Sequence, residues 1–215
     1  MARATIGRLG LMQGCREESF TCFSLAIGCR LKGFRTLCNQ NQLVIMNNIG
    51  KRICIIGPSC AGKSTLAKKL GEKLHLPILH LDQISHIPGT NWAWRPRSVV
   101  QREHDEFIQK DEWIVDGQYL RLLPQRIERA DTVILLEVNR FVSVWRFFKR
   151  HFNGGNWPGK LENASDRFDF EMAWWIFYHQ PRRWKEQIQI ISNYPHVKKI
   201  PLKGFRAINK FFTTL

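Results

Sequence analysis

The residues whose types and spacing best suit chemistry form one short loop, Gly57-Pro58-Ser59-Cys60-Ala61-Gly62-Lys63-Ser64-Thr65. Its spacing, G-x-x-x-x-G-K-[ST], between an apolar run and a stretch of helical spacing, is typical of a phosphate-binding loop. The glycines let successive backbone N–H groups converge on phosphate oxygens, and the N-terminus of the next helix adds positive charge. We expect Lys63 to reach the β- and γ-phosphates of ATP and the Ser64 hydroxyl to bind Mg²⁺.

Two carboxylates are expected beside this loop. Asp82 closes the short apolar run 77–82, and Asp116 lies at the end of the apolar run 113–117. Because the carboxyl ends of parallel strands surround the ligand in an open sheet, both side chains should lie at the same edge as the loop. Asp116 is the predicted metal partner of Ser64, and either carboxylate could orient the acceptor. The alternative is that each is a strand-end cap or a turn residue.

The elements that must position these residues alternate along the chain. Apolar runs predict strands over 53–56, 77–82, 113–117, 132–138 and 197–202. Helical spacing occupies 66–74, a stretch that ends at 110, then 140–152 and 166–179. Strands that alternate with helices favour a parallel sheet with right-handed crossovers. The predicted fold class is therefore α/β, a three-layer P-loop NTPase fold with five parallel strands and a helical lid.

The lid is expected at about residues 151–168. Arg146 and Arg150 are four apart on the predicted helix 140–152 and so share a face. A Gly- and Asn-rich stretch over 153–159 follows, and then a second, aromatic-rich helix with more arginines behind it. Closure of such a lid would bring guanidinium groups onto the transferring phosphoryl group and exclude water. The alternative is a solvated helix face whose aromatic residues belong to the core.

An insertion at about 83–112 is expected to close an acceptor pocket. Trp92 and Trp94 could stack on a planar acceptor, and Arg95 or Arg97 could bind its phosphate. The alternative, an aromatic surface turn packed on the core, stays open for each of these residues taken alone.

Composition and charge limit the classes of protein to consider. The chain has 215 residues with 33 basic and 18 acidic side chains, a net charge of +15. This size suits one domain with a sizeable core, and no apolar run approaches the roughly 18 residues of a membrane-spanning helix. The charge is compatible with nucleic acid as a partner, but polyphosphate substrates call for the same arginines and lysines. No helix-turn-helix, zinc-finger or aromatic RNA-binding pattern occurs, so nucleic-acid binding is not the favoured main activity.

The six cysteines form no C-x-x-C pair, which argues against a zinc site or a redox motif. Cys54 is interpreted as a small buried strand residue, and Cys60 lies in the phosphate-binding loop. Reduced thiols in a cytoplasmic protein are the simplest interpretation.

Residues 1–45 are expected to lie outside the catalytic domain. They contain six basic and two acidic side chains and no clean period, and Met46 begins a polar lead into the first predicted strand. The preferred interpretation is an over-extended reading frame upstream of Met46 or a disordered leader. An organelle transit peptide is one alternative, and a lipid-attachment site at Cys29 is weakened by Glu17 and Glu18. Residues 46–215, with 27 basic and 16 acidic side chains, form the predicted catalytic domain.

Five blocks of sequence together resemble one family. These are GPSCAGKSTLAKKLGEKLHLPILHLD, W-x-x-R-P, EWIVDGQYLRLLPQRIERADTVILLEVNR, WRFFKR and DRFDFEMAW. They resemble the adenylate-kinase-like P-loop proteins often labelled DNA topology modulation proteins, over about residues 50–212. The resemblance implies a nucleoside monophosphate kinase fold with sheet order 2-3-1-4-5, ATP on Gly57 to Thr65, and Asp82 and Asp116 at the acceptor and Mg²⁺. It also implies that Tyr119 faces the acceptor cleft and that Arg146 and Arg150 belong to the lid side.

Two departures from adenylate kinases bear on the acceptor. Those enzymes carry Asp-Gly-Phe-Pro-Arg after the third strand, whereas this chain has Asp116-Gly117-Gln118-Tyr119-Leu120-Arg121. The arginine that binds a monophosphate is therefore displaced, and Arg121 is the candidate to replace it. The lid is rich in Gly, Asn and Trp and has no metal-binding cysteine set, so AMP is not assigned as the acceptor.

The predicted function is transfer of the γ-phosphoryl group of Mg-ATP to a small acceptor, with a nucleotide among the candidates. The expected catalytic residues are Lys63, Asp82, Asp116, Arg146 and Arg150. The expected acceptor-binding residues are Asp82, Trp92, Arg95, Tyr119 and Arg121. One alternative is an ATPase or GTPase without an acceptor, although no Asn-Lys-x-Asp pattern follows a strand. The other is an ATP-binding regulatory protein associated with DNA.

Overall fold

The computed structural model describes residues 49–152, 158–161 and 170–214. The strands in this part of the chain are β1 (Arg52–Ile56), β2 (Ile78–His80), β3 (Trp113–Asp116), β4 (Thr132–Glu137) and β5 (Lys198–Lys203). The helices are α1 (Lys63–Leu74), α2 (Leu81–Ser85), α3 (Arg97–Ile108), α4 (Leu123–Arg129), α5 (Arg140–Phe152), α6 (Phe170–Trp174), α7 (Gln180–Ser192) and α8 (Gly204–Thr214). A 3₁₀ turn (Leu120–Leu122) precedes α4, and a π-helical turn (Trp175–His179) joins α6 to α7.

The strands form one parallel sheet in the order β2-β3-β1-β4-β5. Ile55 of β1 lies opposite Asp116 of β3, which in turn lies opposite His80 of β2. The carboxyl ends of these three strands therefore meet at one edge of the sheet. The fold is the α/β P-loop NTPase fold, and both the predicted fold class and the strand order are confirmed.

Two apolar layers cover the two faces of the sheet. Cys54 and Ile56 of β1 belong to a cluster that α3, α4 and α7 complete. Ile53 and Ile55 face the other way, into a cluster with α1 and α8. Burial on both faces explains why β1 is a continuous apolar run rather than an alternating one. Burial also raises the pKa of the Cys54 thiol to about 12, as expected for an inert structural cysteine.

Three boundaries differ from those predicted. Asp82 lies in the first turn of α2 rather than at the end of a strand, because β2 ends at His80. The second lid helix does not end at His179: after the π-helical turn it continues as α7, with Pro181 in the first turn, where a missing N–H is tolerated. Helix α8 was not predicted; it packs against the sheet through Ile208 and Phe211.

Two predictions fall largely outside the described residues. The leader 1–45 lies wholly outside them, and of the lid only 151–152 and 158–161 lie within them. Among the helices that the structure describes, none is long and apolar enough to cross a membrane.

Candidate active site

The phosphate-binding loop joins the carboxyl end of β1 to the first turn of α1. Gly62 has a φ of +96°, a left-handed conformation that costs glycine little, and it lets α1 begin directly at Lys63. A Cβ on Gly57 would lie 2.7 Å from both the Cβ and the carbonyl oxygen of Leu136, so only glycine allows the loop to pass β4 this closely. The first turn of α1 contains no acidic residue, which leaves its positive end available for an anion.

Lys63 lies where the loop meets the carboxylates. Its Nζ donates a hydrogen bond of 3.0 Å to the carbonyl oxygen of Pro58. Burial lowers the pKa of Lys63, while Asp82 and then Asp116 act in the opposite direction. Lys63 therefore interacts electrostatically with both predicted carboxylates, which is the arrangement expected beside a transferring phosphoryl group.

Asp116 is held by a neighbour from the adjacent strand. The side chain of Asp116 is 5% exposed, and His80 Nδ1 lies 2.8 Å from its Oδ1. Burial disfavours the imidazolium of His80, but the hydrogen bond and the charge of Asp116 outweigh this and raise the pKa of His80. Gly159 lies above this pair, since a Cβ there would come within 3.1 Å of His80 Nδ1 and of Ser64 Oγ.

These groups fit the way in which Mg²⁺ is bound beside nucleotides. That ion is usually held by one or two protein oxygens together with phosphates and water. The Ser64 hydroxyl lines the cleft beside Lys63, and Asp116 lies at the end of the neighbouring strand. Among the described residues no group of three or more His, Cys, Asp or Glu side chains could hold a metal by itself. Ser64 and Asp116 are thus the side chains that would assist a nucleotide in holding the ion.

Asp82 is exposed toward the cleft and is held from two sides. The Tyr119 hydroxyl donates a hydrogen bond of 2.9 Å to Asp82 Oδ1. His86 Nδ1 lies 2.9 Å from the backbone oxygen of Asp82, which ties the start of α2 to the next turn. Burial and the nearby Asp82 raise the pKa of Tyr119, so its phenol stays protonated and keeps donating.

A short hairpin between α2 and α3 carries the predicted tryptophans. His86 and Trp94 form an antiparallel bridge, and Ile87 N donates to the Ala93 oxygen at 2.8 Å. The rings of Trp92 and Trp94 lie 5.2 and 4.3 Å from the ring of His86, centroid to centroid. The Trp94 ring is also edge-on to Tyr119 at 6.2 Å. The aromatic residues thus form one cluster that continues into the Asp82–Tyr119 pair.

Arg95 is placed differently from the prediction. Its guanidinium makes two hydrogen bonds to Glu103, of 2.8 and 2.6 Å, and a third of 2.9 Å to the carbonyl oxygen of Ile84. These bonds join the hairpin to α3 and to the end of α2. The geometry therefore gives Arg95 a positioning task rather than a place in the acceptor pocket.

Basic side chains from several elements line the cleft. Arg146 and Arg150 of α5 both reach it, as the shared face predicted, and Arg146 stacks on the ring of Phe205 at 4.3 Å. Burial lowers the pKa of the Arg146 guanidinium. Arg121 and Arg183 line the cleft as well. Asp82 is the one acidic side chain among the described residues that line it.

Sequence reasoning missed Gln180, which links the phosphate-binding loop to α7. Gln180 is buried, and its Nε2 donates to Ser59 Oγ at 3.0 Å and to Gln118 Oε1 at 3.3 Å. Gln187 adds a bond of 2.9 Å to the Gln118 carbonyl oxygen. No sequence signal marks these amides. His80 was also missed, although a polar residue at the end of a buried strand could have signalled it.

Many of these groups border one open cleft of about 1470 Å³. Single ligand pockets usually enclose about 300–1000 Å³, so this cleft has room for a nucleotide and a second molecule. The predicted site residues that line it are Ser59, Cys60, Gly62, Lys63, Ser64, Thr65, Asp82, Trp92, Tyr119, Arg121, Arg146 and Arg150. Asp116, which contacts His80, and Arg95, which pairs with Glu103, do not line it.

Known proteins resemble this chain only distantly. No protein-family model and no curated protein matches the chain, so the resemblance to DNA topology modulation proteins stays a prediction. Among solved structures, shikimate kinase from Aquifex aeolicus is 17% identical, with 76% of this chain and 95% of that chain covered and a TM-score of 0.43.

Two further structures are similar at the same level. A gluconokinase from Sinorhizobium meliloti is 13% identical, with 78% and 91% of the two chains covered and a TM-score of 0.41. The YorR protein from Bacillus subtilis, in complex with phosphorylated GDP, is 15% identical over 70% and 84%, with a TM-score of 0.42. At these identities and TM-scores the likeness carries no argument about this protein.

Proposed function

We propose that this protein is an ATP-dependent phosphotransferase that moves the γ-phosphoryl group of Mg-ATP to a small acceptor in the cytoplasm. One observation carries the proposal: a phosphate-binding loop and an aromatic pocket border the same cleft, with Lys63 and Asp82 where the two meet. A nucleotide hydrolase needs only the phosphate-binding loop. The aromatic pocket is the feature that binding of a second substrate requires.

The loop residues bind the donor. Backbone N–H groups from Gly57 to Thr65 and the start of α1 surround the phosphates, and Lys63 neutralises charge on the β- and γ-phosphates. When bound, Mg²⁺ would neutralise further phosphate charge, with the Ser64 hydroxyl and the Asp116 carboxylate directed to it. His80 holds Asp116 in place through the 2.8 Å hydrogen bond.

The arginines of α5 would stabilise the transferred γ-phosphoryl group. Arg146 and Arg150 bring positive charge toward the γ-phosphoryl as charge develops on its oxygens. The turn around Gly159 packs on Ser64 and His80, and the carbonyl oxygen of Lys160 accepts a hydrogen bond from Gln83 at 3.3 Å. A turn held beside Ser64 in this way would help to keep water from replacing the acceptor.

The experiment is a screen of ADP formation from ATP and MgCl₂ with nucleoside monophosphates, nucleosides and small alcohols. At least one acceptor should raise turnover above the background of hydrolysis, and Lys63→Ala should remove that increase. If the background rate is the same with every acceptor, the protein is an ATPase or a nucleotide-binding regulator rather than a transferase.

Association with DNA is the second candidate, and one surface favours testing it. Phe141 and Tyr178 are exposed, and the Arg140 guanidinium lies over the rings of Phe141 and Phe177 at 5.4 and 4.7 Å. Exposed aromatic rings beside cations can stack on unpaired bases. Gel retardation of single-stranded and duplex DNA at physiological salt tests it, because binding by charge alone weakens steeply as salt rises.

A further inference from the structure

The acceptor end of the cleft indicates which chemical group receives the phosphate, an inference that rests on the proposed phosphotransferase activity. Four side chains follow one another from the loop outward. Lys63 interacts with Asp82, Asp82 accepts the Tyr119 hydroxyl, and Tyr119 meets the Trp94 ring edge-on. Asp82 therefore lies at the junction between the phosphate end and the aromatic pocket, where the acceptor atom must meet the γ-phosphorus.

A carboxylate at this junction discriminates between acceptor atoms. An ionised carboxylate only accepts hydrogen bonds, so it pairs with a group that carries a proton, such as a hydroxyl. An acceptor phosphate would place like charges at hydrogen-bond distance, which is unfavourable for both. The Tyr119 phenol donates to one oxygen of Asp82 and so leaves the other oxygen for the acceptor hydroxyl.

The aromatic cluster indicates what carries the acceptor atom. Trp94 is 68% exposed although it lines the cleft, and the buried His86 covers its other side at 4.3 Å. The antiparallel bridge and the Arg95 bonds to Glu103 hold the hairpin that presents this ring. A fixed aromatic ring with one open face suits a flat ring of the ligand, either a nucleobase or the apolar face of a sugar.

We infer that the acceptor is an alcohol carried on a ring compound that stacks on Trp94, and that Asp82 receives the proton of its hydroxyl. The acceptor oxygen forms a bond to the γ-phosphorus while the bond between that phosphorus and the β,γ-bridging oxygen breaks. The electron pair of the broken bond leaves with ADP, and the hydroxyl proton passes to the Asp82 carboxylate. The product is a phosphate monoester rather than a diphosphate.

The first test compares matched acceptors with the full-length protein, ATP and MgCl₂. One arm offers ribonucleosides and methyl pyranosides, and the other offers the corresponding 5′-monophosphates and 6-phosphates. ADP formation should rise with at least one alcohol, and ³¹P NMR should show a new monoester signal. Turnover only with phosphate-terminated compounds, with a diphosphate rather than a new monoester in the ³¹P spectrum, overturns the inference and leaves the proposed function intact. No turnover with any compound overturns both.

The second test measures the roles of Asp82 and Trp94 separately. Asp82→Asn should lower kcat for the alcohol by 100-fold or more, because general base catalysis contributes about 10²–10⁴-fold, with little change in KM. Trp94→Ala should raise KM for the ring compound by about 5- to 150-fold, as expected for loss of stacking worth about 1–3 kcal/mol. Trp94→Phe should restore part of that loss.

Matched controls come from the same chain. Asp111 is an exposed carboxylate next to β3, and Trp174 is 59% exposed on α6. Asp111→Asn and Trp174→Ala should leave kcat and KM unchanged. Wild-type kcat in Asp82→Asn, in a protein with an unchanged melting temperature, contradicts the inference. If Asp82→Asn does not fold, Tyr119→Phe takes its place, and an unchanged kcat there contradicts it equally.

Discussion

The two ends of the cleft are built in different ways. Nine consecutive residues form the proposed phosphate end, which is built from loop backbone and the start of α1. Segments far apart in the chain form the acceptor end, with Asp82 on α2, Trp94 on the hairpin and Tyr119 after β3. The phosphate end is a property of local sequence. The acceptor end forms only when the sheet brings the ends of its strands together.

The largest expected effect tests the phosphate end. Lys63→Ala should reduce kcat by about 10²–10³-fold or more, because a preorganised charge beside the γ-phosphoryl is lost. The fold should survive, since Nζ makes one hydrogen bond to the loop itself. Steady-state ADP formation measures this effect. Lys68→Ala, on an exposed position of α1, is the control that should keep wild-type turnover.

Gly57→Ala should damage both the fold and the phosphate end. A Cβ would lie 2.7 Å from the Leu136 backbone oxygen, and overpacking of this kind costs about 1–3 kcal/mol. Urea unfolding gives the free energy of unfolding, and titration with ATP gives the affinity. Gly89→Ala makes a useful contrast: its φ is +75° but nothing lies within 4 Å, so it should cost stability without weakening ATP binding. Equal ATP affinity in both variants would show that the close approach to β4 is unimportant.

Substitution of Arg95 tests whether this residue only holds the hairpin at the acceptor end or also binds the acceptor. If the ion pair only holds the hairpin, Arg95→Ala and Glu103→Gln should each cost about 0.5–1 kcal/mol of stability and raise the acceptor KM alike. A double-mutant cycle should show that the two losses are not additive. A KM that rises in Arg95→Ala alone would return Arg95 to the list of acceptor-binding residues.

The smallest expected effect concerns the helix behind the hairpin. His104 of α3 is fully buried, and burial lowers its pKa, with Arg126 acting in the same direction and Asp105 against it. Below about pH 6.5 the unfolded chain takes up a proton that the folded chain does not, so stability falls as the pH falls. The slope from this one group is at most about 1.4 kcal/mol per pH unit. Urea unfolding from pH 5 to pH 8 should show a flatter slope in His104→Leu, and an unchanged slope would assign the dependence to other groups.

Most of the fold could be predicted from local patterns. Apolar runs marked all five strands to within two residues at each end, and helix α5 had the predicted bounds 140–152. The errors in the predicted helices lie where tertiary contacts determine the structure. Pro181 lies in the first turn of α7, directly after a π-helical turn, and α8 packs on β4 and β5 through Ile208 and Phe211.

The sequence by itself determined the phosphate loop, because its geometry follows from glycine conformations and a helix start within nine residues. Strand ends and helical spacing also predicted that Asp82, Arg146 and Arg150 lie near the loop, and the family resemblance implied the same of Tyr119. Only the tertiary structure decided that Arg95 pairs with Glu103, that His80 holds Asp116 and that Gln180 reaches Ser59. These contacts join residues from different elements, and their partners depend on distances that no local pattern encodes.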